Sequence, residues 1–437
     1  IRLTNFYVNS PICSPSRVAL NTGTYPMRHR IHSYIASSKK NKNRVMANYL
    51  DTSVNTLAST LRDNGYATGH FGKWHMGGGR DLGNVPLPTE YGFEKSFVSF
   101  EGVGHRLLFP NDNLSRQSSK LGRGKIVWAE KYESTRIYID SALAFIDRKG
   151  DKPFFVNLCP NDVHDPHLPD SRVLEEFVSL TNNPWEQKFF AVLRDLDNQI
   201  GRLINSLDKR GLLDNTIIIF TSDNGPAITN AHPHGSTGGL RDKKGSVYEG
   251  GIRVPGVVQW PRAWKNPQVL DLPISGVDVL PTFCQVAGVV PPETLELDGA
   301  SFISALGGRP VRRNKPLYWQ FHSARGEDQL AAIDGNWKIV GQFEGGSLPP
   351  HGDIFAEHQQ RIQDARITRY QLFDLTKDET TDVQAENPGV AQQLIRNLQH
   401  TFLSVQSDNP SWPAWEWPRE EGMQIRAYVE SLKSMQE

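Results

Sequence analysis

The residues that could do chemistry here come in short clusters, and most follow a run that reads as a strand. Pro11-Ile12-Cys13-Ser14-Pro15-Ser16-Arg17 runs directly into a helical-looking stretch, residues 18–23. A Cys at such a turn has backbone N–H groups pointing at it, which suits an anionic ligand; a buried, inert thiol fits the same letters. Gly72-Lys73-Trp74-His75 puts Lys73 and His75 on one side by strand alternation, although exposed loop residues would read alike. Asn161-Asp162-Val163-His164-Asp165-Pro166-His167 offers His164 and His167, of which one is expected to be plain surface. Ser222-Asp223-Asn224-Gly225 supplies oxygens suited to a hard cation such as Ca²⁺, or simply an Asx turn capped by Gly. Lys243-Lys244-Gly245 precedes Tyr248-Glu249-Gly250-Gly251, whose glycines allow close backbone approach. Gathered in one loop set, Arg17, Lys73 and Lys244 would be cations, His75 and His164 proton carriers, and Asp223 and Asn224 oxygen ligands. That describes a pocket for a tetrahedral oxyanion ester beside a divalent metal.

The elements that must position these clusters alternate over roughly the first 310 residues. Val54, Leu57, Ala58 and Leu61 recur at helical spacing before the stop Asn64-Gly65. Strand-like runs follow at residues 66–71 and 153–158, and Phe189, Val192, Leu193, Leu196, Ile200, Leu203, Ile204 and Leu207 form a long amphipathic stripe. Thr216-Ile217-Ile218-Ile219-Phe220, apolar on both faces, suits a central parallel strand. Strands alternating with helices predict an α/β fold, a mostly parallel sheet sandwiched by helices with ligands at the carboxyl ends of its strands. From 311 to 437 short strands at Tyr318, Gln329, Trp337 and Tyr370, a helix over 389–402 and a Trp/Pro-rich stretch over 412–418 predict a smaller α+β subdomain with an antiparallel sheet.

The chain has 437 residues, with Lys+Arg and Asp+Glu both 48. That balance excludes electrostatic capture of nucleic acid as its main business. No apolar run approaches the ~18 residues of a membrane span. Three cysteines are too few for a disulfide framework; Cys159 and Cys284 are expected to be buried structural thiols. The sequence opens on Ile1-Arg2-Leu3-Thr4-Asn5-Phe6, which reads as already inside a domain, so an export signal would be invisible here.

Cys13-Ser14-Pro15-Ser16-Arg17, with Leu20 and Thr22-Gly23, resembles the C-x-P-S-R…T-G signature of the type I sulfatases of the alkaline phosphatase superfamily. Residues 65–75 look like that family's second signature, and Tyr248-Glu249-Gly250-Gly251-Ile252-Arg253-Val254-Pro255, Leu297-Asp298-Gly299, Asp334-Gly335-Asn336-Trp337-Lys338 and Leu372-Phe373-Asp374-Leu375 also look like family segments. The resemblance implies an alkaline phosphatase-like catalytic domain over 1–310 and a mechanism. A formylglycine-generating enzyme would oxidise Cys13 to an aldehyde, whose hydrate attacks sulfur, expels the alcohol and then collapses to release sulfate. It further implies that Arg17 stabilises the diol, that His75 assists its collapse, and that Lys73 and Lys244 hold sulfate oxygens. His164 is the candidate general acid, with Lys244 as competitor. Asp223, Asn224 and the modified Cys13 would be Ca²⁺ ligands. The family's adjacent Asp-Asp pair has no counterpart in these residues, so the resemblance implies an N-terminally truncated chain that binds metal poorly and leaves a gap in its sheet.

Two other functions compete. One is a phosphonate or phosphate monoesterase of the same superfamily, against which the Asp223-Asn224 pair speaks, because the resemblance implies Asp-His there in the phosphonate enzymes. The other is a non-catalytic protein that binds sulfated glycans, for which Trp412, Trp415 and Trp417 could stack on sugar rings. The substrate expected is a sulfated carbohydrate, with Arg80, Glu101, His105, Arg106, His322 and Arg325 as candidate contacts. By resemblance to bacterial members the location expected is periplasmic or secreted.

Overall fold

The computed structural model describes residues 1–229, 233–292, 296–326, 328–348 and 356–408. The Trp/Pro-rich stretch with Trp412, Trp415 and Trp417 lies outside the described residues. Fourteen described strands make three sheets.

The first sheet is parallel throughout and holds β2 (Ala67–Lys73), β3 (Lys95–Ser99), β4 (Arg106–Leu108), β5 (Ile126–Trp128) and β6 (Phe154–Cys159) in the order β5-β4-β3-β2-β6. Every residue of β2 is buried, as expected of a strand covered on both faces. Its register sets Lys73 opposite Ser99 and Gly72 opposite Cys159, so three strands deliver their carboxyl ends to one place. Gly72 is required there. Its φ is +111°, and a Cβ would stand 2.0 Å from the Cys159 carbonyl oxygen.

The second sheet is mixed. Its strand β1 (Arg2–Tyr7) lies between β8 (Arg253–Gln259), antiparallel, and the parallel β9 (Val269–Leu270) and β10 (Ile274–Ser275). The strand β7 (Ile218–Thr221) pairs only with β8 among the described residues, and antiparallel. This corrects the expectation of a central parallel strand, because an apolar run records burial and not the direction of its neighbour. The helix α1 (Cys13–Thr22) leaves β1 through Val8-Asn9-Ser10, and Gly23, at φ 68°, ends it by donating its N–H to Ala19 O. Two further helices, α2 (Ser38–Asn43) and α3 (Leu57–Asp63), precede β2, and the predicted stripe forms one helix, Pro184–Lys209.

The third sheet is the expected antiparallel one, β11 (Leu317–Gln320), β12 (Asp328–Asp334), β13 (Trp337–Phe343) and β14 (Ile367–Asp374) in sequential order. The helix Pro388–Asp408 covers it with Leu394, Leu398, Phe402 and Val405, in one core with Ala19 of α1, Tyr25 and Met27. Trp319 Nε1 donates to Val8 O at 2.5 Å. Deeper, Lys338 Nζ, fully buried, bonds Glu249 at 2.9 Å and Glu379 at 2.6 Å, while Tyr7 OH donates to Glu249 at 2.8 Å. The third sheet is thereby fixed to the two segments, after β1 and before β8, that bear the chemistry. No helix of the described residues is long and apolar enough to cross a membrane.

Candidate active site

Cys13 opens α1, and the preceding Ile12 supplies no side-chain cap, so the first-turn N–H groups face the pocket with the helix dipole behind them. The Cys13 residue is 5% exposed. Lys244 Nζ lies 3.7 Å from Cys13 Sγ. The Lys244 loop is anchored by its own N–H to Pro226 O and by Gly245 N–H to Pro11 O, both near 3 Å, which ties it to the ends of β7 and β1.

Arg17, one turn along α1, reaches across to the ends of β7 and β2. Its Nε and Nη2 both approach Asp223 Oδ2 at 2.8 Å, and Nη1 donates to Lys73 O at 2.9 Å. Lys73 Nζ stands 3.5 Å from the same Asp223 oxygen. Burial alone would raise the Asp223 pKa, but Lys73, Arg17 and Lys244 overcome it and hold the carboxyl far below the usual range. The neighbouring Asn224 Nδ2 donates to Gly225 O, leaving Asn224 Oδ1 buried with no partner among the described residues. Asp223, Arg17, Lys73 and Lys244 therefore do converge, and Asp223 serves as their common counter-charge.

His75, at φ 54°, turns its ring onto the edge of Phe100, and its Nε2 lies 2.9 Å from Ile35 O. A carbonyl only accepts, so Nε2 carries the proton. Burial, then Lys73, pushes the His75 pKa far down, so the ring is neutral and its Nδ1 is a buried lone pair without a partner. His164 stands across Phe100, ring centroids 5.9 Å apart, and Nδ1 lies 2.8 Å from Asp165 O. Although 40% of its side chain is open, the crowded pocket side and the charges of Lys73 and Lys244 push its pKa down to about 4. His167 instead turns to Val163 O and the Phe189 ring.

Sequence reasoning placed Cys159 wrongly. Its thiol, at the end of β6, is only half-buried as a residue and sits against Arg17. Cys284 is buried in the core as expected. Arg106 and His322 do not face the pocket. The Arg106 guanidinium is sealed by five hydrogen bonds to Gly104, Ser118, Leu121 and Arg123, and His322 is buried flat on Phe343. His105 stacks on Phe97, away from the cluster. The spacing rules missed Lys131, whose ammonium bonds the carbonyls of His164 at 2.5 Å and Pro166 at 2.7 Å and so fixes the His164 loop; no motif marks it, because the contact spans 33 residues.

A cation would find the Asp223 carboxylate and the unpartnered Asn224 Oδ1. Ca²⁺ takes six to eight oxygens, and no group of three His, Cys, Asp or Glu among the described residues could hold a metal. These residues fit a cation only as a partial donor set.

Known proteins give this geometry its context. The family model described as Sulfatase matches residues 1–289. The chain belongs to the sulfatase family. It is 27% identical to an N-acetylgalactosamine-6-O-sulfatase of Bacteroides thetaiotaomicron, over 91% of this chain and 85% of that one. Identity to arylsulfatase A of Homo sapiens is 30%, over 93% of this chain and 81% of the relative. Among solved structures, Ps i-CgsB in complex with k-i-k-neocarrahexaose superposes with TM-score 0.73 at 26% identity, covering 98% of this chain and 89% of that one. The expected fold class and sulfuric ester hydrolase activity follow from this membership. Sulfatases generally use a formylglycine and Ca²⁺.

Proposed function

We propose that this sulfatase hydrolyses a sulfate monoester on a carbohydrate, RO–SO₃⁻ + H₂O giving ROH and HSO₄⁻, at a formylglycine made from Cys13. The carrying observation is that Lys244 reaches the buried Cys13 at a helix start, while Arg17 and Lys73 meet on Asp223 and His75 and His164 flank the Phe100 ring that Lys73 overlies. When present, the hydrated aldehyde supplies the oxygen nucleophile. The residues of the chain do the rest. Lys73 and Lys244 bind sulfate oxygens and offset charge that builds on them in the transition state. Arg17 holds position 13 against Asp223, and the free His75 Nδ1 accepts a proton from a hydroxyl at position 13. His164 donates the proton to the leaving oxygen, its pKa rising once a bound sulfate offsets Lys73 and Lys244; Lys244 is the competing donor.

Asp223 and Asn224 are the oxygen donors these residues would offer to Ca²⁺. A sugar ester is favoured because the relatives' names include an N-acetylgalactosamine-6-O-sulfatase. A formylglycine-generating enzyme is then the partner in maturation, and a periplasmic or extracellular site of action fits a sulfated glycan. The test is a mass spectrum of the tryptic peptide ending at Arg17, from a host that matures a control sulfatase, with parallel assays of sulfate and phosphate esters of one phenol. Expected are an aldehyde mass at Cys13 and faster sulfate turnover. An unmodified thiol would favour a glycan-binding protein, and faster phosphate turnover a phosphatase.

A further inference from the structure

Arg80 has no part in the chemistry above, yet it sits close enough for its charge to act on His75. It follows Gly77-Gly78-Gly79, and its Nε donates to Glu101 Oε1. Among the described residues Arg80 makes no other hydrogen bond or ion pair, so the N–H donors of both Nη groups stay free on a side chain only 20% exposed. Glu101 is the clamp. Its side chain is 1% exposed, and it binds the one guanidinium nitrogen that points away from the fork's open edge.

Two neighbours place Arg80 near the reacting centre, where its charge is felt at His75. Glu101 follows Phe100, whose ring packs on His75 at 4.9 Å and His164 at 5.9 Å and lies under Lys73 Nζ at 5.1 Å. On the other side is Tyr34, close enough to Arg80 for its phenol to interact electrostatically, and the next residue, Ile35, holds His75 Nε2. Tyr34 in turn gathers Lys40, 2.8 Å from its hydroxyl, and Arg44, 4.2 Å over its ring. The carboxylates near Arg80 are Glu101 and Asp81, the latter already accepting from the N–H and hydroxyl of Ser38. A guanidinium held by its Nε and open along its Nη edge presents two parallel donors to a planar or tetrahedral oxyanion. The sulfate pocket needs no such group, since the proposed function already gives Lys73 and Lys244 to the scissile sulfate.

We propose that Arg80 is the specificity residue for a second oxyanion on the substrate, a carboxylate or a further sulfate near the scissile ester. This rests on the sulfate-ester function. The experiment measures inhibition of nitrophenyl sulfate hydrolysis by three sugars: a monosulfated hexosamine, the same sugar with a second sulfate, and the monosulfated sugar linked to a hexuronate. Competition reads binding whichever sulfate is cleaved. A charged, bidentate contact predicts a Ki roughly tenfold lower for one of the dianionic sugars than for the monosulfated one. Arg80→Gln should shrink that preference to about twofold or less, and Arg80→Lys, which keeps charge without the fork, should leave an intermediate value. Melting temperatures of both variants report that the fold is kept. The second-sulfate and uronate arms tell which oxyanion is preferred. No preference for either dianionic sugar in the wild type, or a preference unchanged in Arg80→Gln, would overturn the proposal while leaving the sulfatase activity intact. Failure of the wild type to hydrolyse nitrophenyl sulfate at all would instead overturn the function on which it rests.

Discussion

Replacing Lys338 by Met should destabilise the protein by an amount that grows with pH. The ammonium is fully buried between Glu249 and Glu379, at 2.9 and 2.6 Å. Removing one member of a buried ion cluster costs about 3–5 kcal/mol, because the partners lose their compensation. Here one partner can escape by taking a proton. Burial pushes the Glu379 carboxyl up to about 7 against the pull of Lys338. A carboxyl raised in the folded state stabilises most below its unfolded value near 4.5, and that contribution is lost as pH rises through about 7. At pH 5 Glu379 is protonated in both proteins, and only Glu249 misses its cation, with Tyr7 OH still donating to it. Toward pH 8 the native protein ionises Glu379 beside Lys338, whereas Lys338→Met must retain the proton or bury an unpaired charge. With a slope near 1.4 kcal/mol per pH unit, the gap between the two should widen by about 1–2 kcal/mol from pH 5 to pH 8. Urea denaturation of both proteins at the two pH values measures it. A gap equal at both would refute the role given to Glu379, and no gap at all would refute the cluster's contribution.

Two other outcomes follow from geometry. Lys131→Met, which frees the carbonyls of His164 and Pro166, should cut turnover of a sugar sulfate about tenfold while slowing nitrophenyl sulfate much less, since a good leaving group needs little help from an acid; equal loss on both substrates would mean the lysine serves only the fold. Gly225→Ala would put a Cβ 2.1 Å from Gly250 O and should cost at least about 1–3 kcal/mol, whereas Gly201→Ala, with open space around it inside the helix Pro184–Lys209, should raise stability by about 0.5–1 kcal/mol, both read by thermal melting.

The parts of the site legible in the sequence are those carried by contiguous letters at strand ends. Cys13 to Arg17 and Lys73 to His75 each lie within one turn of backbone, so the spacing alone brings them together. The parts that were not legible depend on distant pairing. Glu249 receives its partners from positions 89 and 130 residues away, and Cys159 meets Arg17 only because β6 lies beside β2. Arg106 misled for a different reason. A charged residue beside loops reads as surface, and nothing local reveals that five acceptors have been assembled around its guanidinium. The C-terminal strands were legible because short runs separated by turns such as Asp334-Gly335 are local signals, while the direction of β7 was set by β8, 35 residues later.

The burial of Cys13 also imposes a clock. A cysteine buried in the first turn of a helix, with Ser14 Oγ already accepting from Ile35 N–H, cannot be drawn out into the cleft of a modifying enzyme without undoing α1. On the proposed function, conversion of Cys13 to the aldehyde therefore competes with folding, and the yield of active enzyme is the outcome of a race. Anything that delays the docking of α1 should give more aldehyde per chain, and expression at a temperature where folding is fast should give less. Two preparations of identical sequence and identical fold can then differ severalfold in specific activity, the difference residing entirely in the history of one side chain.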